Sequence, residues 1–95
     1  MAIEFTHVDG RDAGRVILYA LSSCVWCKKT KKLLGELGVA YDYVDVDLLS
    51  GEDRKDSDAQ VARWNPRRNY PTIVVGDREC IAGFNEAKVR EVLGG

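Results

Sequence analysis

The sequence is poor in cysteine and proline and has no long apolar run, and each of these features would have pointed to a particular class of protein. Its 95 residues include two prolines, one histidine and three cysteines, an odd number. Three cysteines are too few for a small domain that is held together by disulfides. No apolar run approaches the roughly 20 residues that a membrane-spanning helix needs. These absences exclude a disulfide-stapled miniprotein and argue against a membrane protein.

An excess of charge of either sign is also missing. Fourteen Lys and Arg residues stand against fifteen Asp and Glu residues, which gives a formal net charge of −1. A nucleic-acid-binding domain would carry a clear positive excess, so we expect no nucleic-acid partner. The first residues lack the basic and apolar segments of a secretory signal. We therefore expect a single cytoplasmic domain that is monomeric and has no membrane partner.

What the sequence does contain is a regular alternation of strand and helix patterns. The run Val16–Leu21 is continuously apolar, as in a strand that is buried on both faces. Apolar residues then recur at helical spacing as far as Gly38, which is a natural helix stop. The predicted elements in order are a strand at 16–21, a helix at 25–37, a strand at 41–46, a helix that Ser50 caps and Pro66 ends, strands at 70–75 and 79–82, and a helix that Asn85 caps. This order predicts a mixed sheet with helices packed on it.

The first 14 residues form an extension before the predicted domain at 15–95. Ile3, Phe5 and Val8 alternate weakly with polar residues, and Asp9-Gly10 is a turn signal. Two structures fit this pattern: a short extra strand that folds back towards the next strand, or a frayed tail.

The function depends on the tetrapeptide Cys24-Val25-Trp26-Cys27, which lies between a buried strand and a helix N-terminus. Free backbone N–H groups and the helix dipole favour an anion there, so we expect Cys24 to be the attacking thiolate. Cys27 follows one helical turn later, and this spacing brings the two sulfurs within reach of a disulfide. Cys27 is therefore placed to resolve a mixed disulfide on Cys24 and to form the Cys24–Cys27 disulfide.

A zinc site and two inert cysteines are the alternatives for the same motif. A structural zinc ion needs about four ligands, and only Cys80 and His7 remain, neither with paired spacing. We therefore expect no metal. Cys80 lies beside Ile81 in a predicted strand, and we expect it to pack as a small buried apolar side chain.

Four segments together resemble the glutaredoxin branch of the thioredoxin superfamily, over about residues 15 to 94. They are Val16–Leu21, Cys24-Val25-Trp26-Cys27, Tyr70-Pro71-Thr72-Ile73-Val74-Val75 and Ala82-Gly83-Phe84-Asn85. The resemblance implies a thioredoxin-like, glutaredoxin-type α/β fold of three layers, α/β/α, around a four-stranded mixed sheet. If the N-terminal segment forms a strand rather than a tail, it would add one strand to this sheet. It also implies a cis peptide bond before Pro71 and a substrate site formed by Trp26, Tyr70, Pro71, Gly83, Phe84 and Asn85.

The activity that the resemblance implies is an enzymatic thiol–disulfide exchange. The chain would reduce protein or mixed disulfides, with ribonucleotide reductase as one candidate partner. No cofactor is required, and glutathione, another small thiol or a reductase would supply the electrons. The backbone of Tyr70 would pair with the substrate as a strand edge does.

The chain departs from the usual glutaredoxin pattern in its motif. Val25 and Trp26 replace a proline and a tyrosine, and Leu21-Ser22-Ser23 supplies no basic residue before Cys24. Glutathione dependence is therefore left open. Family members without the proline can bridge a [2Fe–2S] cluster between two chains, so an iron–sulfur module ligated through Cys24 is the alternative function.

Two charged segments flank these motifs in the sequence. The stretch from residue 42 to residue 58 holds seven of the fifteen acidic residues, and we expect a solvated face away from the thiols. Arg63, Arg67 and Arg68 precede Pro71. They fit either a solvated helix end or a basic rim for an acidic partner, and the helix end is the simpler interpretation.

Overall fold

A computed structural model describes residues 3–94 and contains five strands and three α-helices in that range. The elements in chain order are β1 (Thr6–Val8), β2 (Val16–Ala20), α1 (Val25–Leu37), β3 (Tyr41–Asp45), a 3₁₀ turn (Val46–Leu48), α2 (Gly51–Trp64), β4 (Thr72–Val75), β5 (Glu79–Ala82) and α3 (Glu86–Leu93). The predicted order of elements is confirmed. Three strand bounds differ slightly from the prediction: β2 ends at Ala20, β3 ends at Asp45, and β4 begins only at Thr72.

The five strands form one mixed sheet in the order β1-β3-β2-β4-β5. Strand β2 lies in the centre and is buried along its whole length, as its continuous apolar run predicts. It pairs in parallel with β3 and antiparallel with β4, and β4 pairs antiparallel with β5. The parallel pair is joined through α1, which makes the predicted βαβ unit.

Helices cover both faces of this sheet. On one face the side chains of α1 and α3, among them Leu33, Leu34, Val89 and Leu93, pack with β2 and β4. On the other face Val61 and Trp64 of α2 pack with the opposite side of the same strands. The three-layer architecture that the sequence predicts is therefore present.

The N-terminal segment adds the fifth strand, but at a different place from the one predicted. Strand β1 pairs antiparallel with β3, with His7 opposite Asp42. The expectation that it folds back onto the next strand is wrong, because β2 already has β3 and β4 on its two sides. Residues 1 and 2 of the predicted extension lie outside the described residues.

The packing of helix α1 explains why Cys27 of the two-cysteine motif faces the core. Its buried stripe contains Cys27, Thr30, Leu33 and Leu34, so the apolar spacing that predicted the helix also turns Cys27 towards the core. The Thr30 hydroxyl donates to the carbonyl of Trp26 at 2.8 Å, which satisfies a buried polar group within the helix. The helix ends at Gly38, whose φ of 68° is the left-handed conformation that glycine adopts without strain.

Helix α2 begins at the predicted position without the predicted side-chain cap. Ser50 occupies the N-cap position, but its side chain makes no capping hydrogen bond. Gly51 follows with a φ of 58°, and this turn moves Ser50 out of line with the first N–H groups of the helix. By contrast, Asn85 caps α3 as predicted, since its Oδ1 accepts the N–H of Lys88 at 3.1 Å. Within residues 3–94, no helix combines the length and the apolar character that crossing a bilayer would require.

Candidate functional site

The two motif cysteines lie where the central strand β2 passes into α1. Cys24 is the N-cap residue of α1, and its Sγ accepts the backbone N–H of Cys27 at 3.2 Å. Cys24 is half-buried, whereas Cys27 is fully buried, and both are free thiols. The helix N-terminus thus supplies an N–H group to the sulfur that substrate can reach, as the sequence predicts.

Burial separates the chemistry of the two thiols. Removal from water raises the pKa of the Cys27 thiol well above its ordinary value, and its contact with Cys24 adds to this effect. In the reduced protein, before Cys24 has bonded to a substrate, Cys27 therefore keeps its proton at neutral pH. This arrangement favours Cys24 as the first nucleophile and Cys27 as the second, because only the thiolate form attacks a disulfide.

The loop before Cys24 is held by a carboxylate from the acidic segment. The backbone N–H and the hydroxyl of Ser22 donate to the two carboxylate oxygens of Asp47, at 2.8 and 2.6 Å. These hydrogen bonds lower the pKa of the Asp47 carboxyl below its ordinary value. The expectation that the acidic stretch lies entirely away from the thiols is therefore wrong. Nothing in the pattern of Ser22 and Asp47, which are 25 residues apart, signals this pairing.

A groove of about 470 Å³ lies beside the thiols and is lined by Trp26, Asn69, Tyr70, Ala82, Gly83 and Phe84. The rings of Trp26 and Phe84 lie 5.4 Å apart between centroids, and the Lys29 ammonium sits 4.6 Å above the Trp26 ring. The groove therefore has an aromatic wall with a cation at its edge.

Four of the six predicted substrate-binding residues line this groove, namely Trp26, Tyr70, Gly83 and Phe84. The other two are not part of its lining. Pro71 is buried, and Asn85 uses its side chain to cap α3. Asn69 and Ala82 also line the groove, and neither was selected from the sequence.

The Tyr70–Pro71 peptide bond is cis, as predicted. The carbonyl of Pro71 accepts the N–H of Gly83 at 2.7 Å, which ties this loop to the turn before α3. Among residues 3–94, the backbone N–H and C=O of Tyr70 form no backbone hydrogen bond. Tyr70 thus presents unpaired backbone groups at the groove, as a strand edge does.

A buried polar network lies under the same loop. Asn65 is 2% exposed and its Nδ2 lies 2.7 Å from Oδ1 of Asn69, 3.0 Å from the Asn69 carbonyl and 3.0 Å from Oγ1 of Thr72. The Thr72 hydroxyl donates in turn to the Asn69 carbonyl at 2.8 Å. No pattern in the sequence predicts this network.

The family model for glutaredoxin matches residues 16–81. The chain belongs to the glutaredoxin family. A glutaredoxin from Ricinus communis is 30% identical over 79 residues, which cover 83% of this chain and 74% of that protein.

Solved structures of archaeal glutaredoxin relatives match nearly the whole chain. The crystal structure of the glutaredoxin from Methanosarcina mazei Go1 is 46% identical with a TM-score of 0.90, over 99% of this chain and 98% of that one. The methanoredoxin of Methanosarcina acetivorans is 50% identical with a TM-score of 0.87, over 90% of each chain. These likenesses confirm the predicted thioredoxin-like fold of the glutaredoxin type.

None of the remaining candidate residues belongs to the lining of the groove. Cys80 is half-buried on β5, and burial raises the pKa of its thiol, which fits the predicted packing role. Arg63, Arg67 and Arg68 are exposed, and the Arg63 guanidinium lies 5.8 Å from the Trp64 ring. A second cavity, of about 420 Å³, lies between α2 and the far face of the sheet.

Proposed function

We propose that this glutaredoxin-family protein is a thiol–disulfide oxidoreductase that reduces protein and mixed disulfides by dithiol exchange. The Cys24 thiolate attacks one sulfur of the substrate disulfide, the substrate S–S bond breaks, and the departing thiolate takes up a proton. Cys27 then gives up its proton and attacks Sγ of Cys24, which releases the second substrate thiol. Two electrons pass to the substrate, and the protein is left with a Cys24–Cys27 disulfide.

One observation carries this proposal: the half-buried Cys24 sulfur at the α1 N-terminus accepts the N–H of the buried Cys27. The more exposed of the two sulfurs is thus the one that accepts a backbone N–H at the start of the helix. The sulfur that must wait for the mixed disulfide is kept protonated by burial. Because their surroundings differ so much, the two cysteines suit successive steps of one reaction better than a shared, identical role.

The surface around Cys24 supports a protein as the substrate. The large apolar side chains that are more than half exposed in residues 3–94 are Val25, Trp26 and Leu48. Two of them belong to the motif, and Leu48 follows Asp47, the residue that holds Ser22. Exposed apolar side chains grouped at a reactive centre are typical of a surface that a protein partner covers. Disulfide-containing proteins, with ribonucleotide reductase among the candidates, are therefore the substrates that we propose.

The oxidised protein needs an electron donor, which we propose to be glutathione, another small thiol or a reductase. The unpaired backbone of Tyr70 and the groove along Trp26 suit a small peptide thiol as well as a protein segment. A reducing cytoplasm is the compartment that we propose, because free thiols persist there.

The test replaces each cysteine by serine and measures reduction of insulin and of hydroxyethyl disulfide. Cys24→Ser should abolish reduction of both, because the attacking sulfur is lost. Cys27→Ser should trap a mixed disulfide between Cys24 and the protein substrate, which mass spectrometry detects. Cys80→Ser is the matched control and should keep full activity. Full activity of the Cys24→Ser variant would contradict the proposal.

The alternative iron–sulfur function stays a prediction. Among residues 3–94, no group of three or more Cys, His, Asp and Glu side chains comes together. The sequence-based alternative relied on Cys24 of two chains and on glutathione, and no contact described above favours it. Anaerobic purification followed by a visible absorption spectrum tests it directly.

A further inference from the structure

Asn69 stands out because two buried neighbours hold its backbone carbonyl and its side-chain oxygen through three hydrogen bonds, while its side-chain nitrogen has no such partner. Its carbonyl accepts hydrogen bonds from Asn65 and Thr72, and its side-chain Oδ1 accepts a further one from Asn65. Asn65 and Thr72 are both buried, whereas Asn69 itself is exposed, so Asn69 is held from its protein side only. The hydrogen bonds with Asn65 and Thr72 therefore determine both the position and the orientation of the Asn69 side-chain amide.

The side-chain amide nitrogen is the group left over. Because Oδ1 of Asn69 faces Asn65, Nδ2 points the other way, towards Gly83. A Cβ atom built on Gly83 would lie 3.1 Å from this nitrogen. Within residues 3–94, Nδ2 of Asn69 has no hydrogen-bond acceptor. The groove thus contains a held N–H donor between Tyr70 and Gly83.

We propose that Asn69 is a specificity-determining residue whose amide N–H donates to an acceptor oxygen on the substrate beside the reacting disulfide. This inference rests on the proposed exchange reaction, since it concerns the substrate of that site. The acceptor is a carbonyl or carboxylate oxygen of the residue that flanks the substrate cysteine. Asn65 and Thr72 are positioning residues, because they act only through the orientation of Asn69.

The physical reason is that a donor that is already oriented loses little conformational freedom when a substrate binds. A free asparagine side chain would first have to be ordered, which opposes the gain from one hydrogen bond. A disulfide without an oxygen acceptor near its sulfur gains nothing from the same amide. Asn69 should therefore distinguish peptide disulfides from simple alkyl disulfides, and it should do so at the binding step.

The test mixes pre-reduced protein with an excess of disulfide in a single turnover, so that no reductant has to be identified. Three substrates are compared: diethyl disulfide, which has no oxygen acceptor, a neutral peptide disulfide with blocked termini, and glutathione disulfide. The half-saturation concentration and the limiting rate are measured for the wild type and for Asn69→Ala and Asn69→Asp. Gln60→Ala is the control, since it removes an exposed amide on α2 that lines the second cavity.

Asn69→Ala should raise the half-saturation concentration for an acceptor-bearing disulfide by about three- to tenfold, the range of one neutral hydrogen bond. The limiting rate and the reaction with diethyl disulfide should not change, and Gln60→Ala should resemble the wild type. If the acceptor is a carboxylate, Asn69→Asp should impair glutathione disulfide more than Asn69→Ala does. If it is a peptide carbonyl, both variants should impair the blocked peptide equally.

Two results would overturn the inference. One is an equal loss with all three substrates, which would mean that Asn69 only supports the loop. The other is no loss with either acceptor-bearing disulfide. Thr72→Val is a second variant that keeps the side-chain shape, and it should give a smaller loss with the same substrate preference. Failure of the wild type to reduce any of the three substrates would instead overturn the proposed function.

Discussion

Two loops meet at the thiols, and they are held in opposite ways. The loop at 21–24 carries the nucleophile and is tied by one exposed carboxylate, Asp47, through two hydrogen bonds from Ser22. The loop at 65–71 shapes the groove and is tied by the neutral, buried side chains of Asn65 and Thr72. The first attachment depends on a charge in water, and the second depends on groups that carry no charge.

This difference predicts how each loop responds to mutation, acid and salt. An exposed, charge-assisted contact is weakened by solvent and by ions, so it contributes little to global stability. A buried hydrogen-bond network is costly to leave half-made, because the remaining polar groups cannot reach water. The groove-shaping loop should therefore be the more rigid of the two, and the loop before Cys24 should be easier to perturb without unfolding the protein.

The largest expected effect is on the buried network. Asn65→Ala removes the donor to Asn69 and Thr72 and leaves a cavity, so it should lower the free energy of unfolding by about 1–3 kcal/mol. Urea denaturation followed by circular dichroism measures this change. Asn85→Ala is a useful comparison, since it removes an exposed asparagine cap. If Asn65→Ala unfolds at the same urea concentration as the wild type, the network does not hold the loop.

A smaller and more local effect is expected for the loop before Cys24. Asp47→Asn keeps the size of the side chain but loses the charge and the oxygen that accepts from the Ser22 hydroxyl. The backbone N–H of Ser22 should then exchange faster with solvent, whereas global stability should fall less than in Asn65→Ala. Amide hydrogen exchange by NMR measures this, with Ser22→Ala as the variant that removes the hydroxyl alone. If Asp47→Asn lowered the free energy of unfolding as much as Asn65→Ala does, the two loops would not differ in the way we propose.

The sequence predicted well those parts of the molecule that periodicity and local chemistry determine. The buried run at 16–21, the helical stripe through Leu33 and Leu34, and the position of Cys24 at a helix start all follow from neighbouring residues. The cis bond before Pro71 was predicted only through the resemblance to glutaredoxins. These features needed no information about which distant residues meet.

The sequence did not predict the contacts that hold the two loops. Ser22 and Asp47 come together only because β2 and β3 lie side by side in parallel, so that their ends meet at one edge of the sheet. Asn65 reaches Thr72 only because the chain reverses direction between α2 and β4. The pairing of β1 with β3 was missed for the same reason, since local sequence patterns do not determine the order of strands across a sheet.

The smallest expected effect is the response of the two loops to acid. Hydrogen bonds from Ser22, then the charge of Arg54, favour the ionised form of Asp47 and lower its pKa below the ordinary 3.8. Because the folded pKa is the lower one, this contribution to stability is complete above about pH 3.8 and is lost as the pH falls through the folded value. The stability difference between the wild type and Asp47→Asn should therefore be constant near neutral pH and shrink towards zero in acid.

The difference between the wild type and Asn65→Ala should persist over the same range, because neither Asn65 nor Thr72 titrates. Urea unfolding of all three proteins at several pH values measures both differences, and a parallel decline of the two would mean that both loops depend on charge.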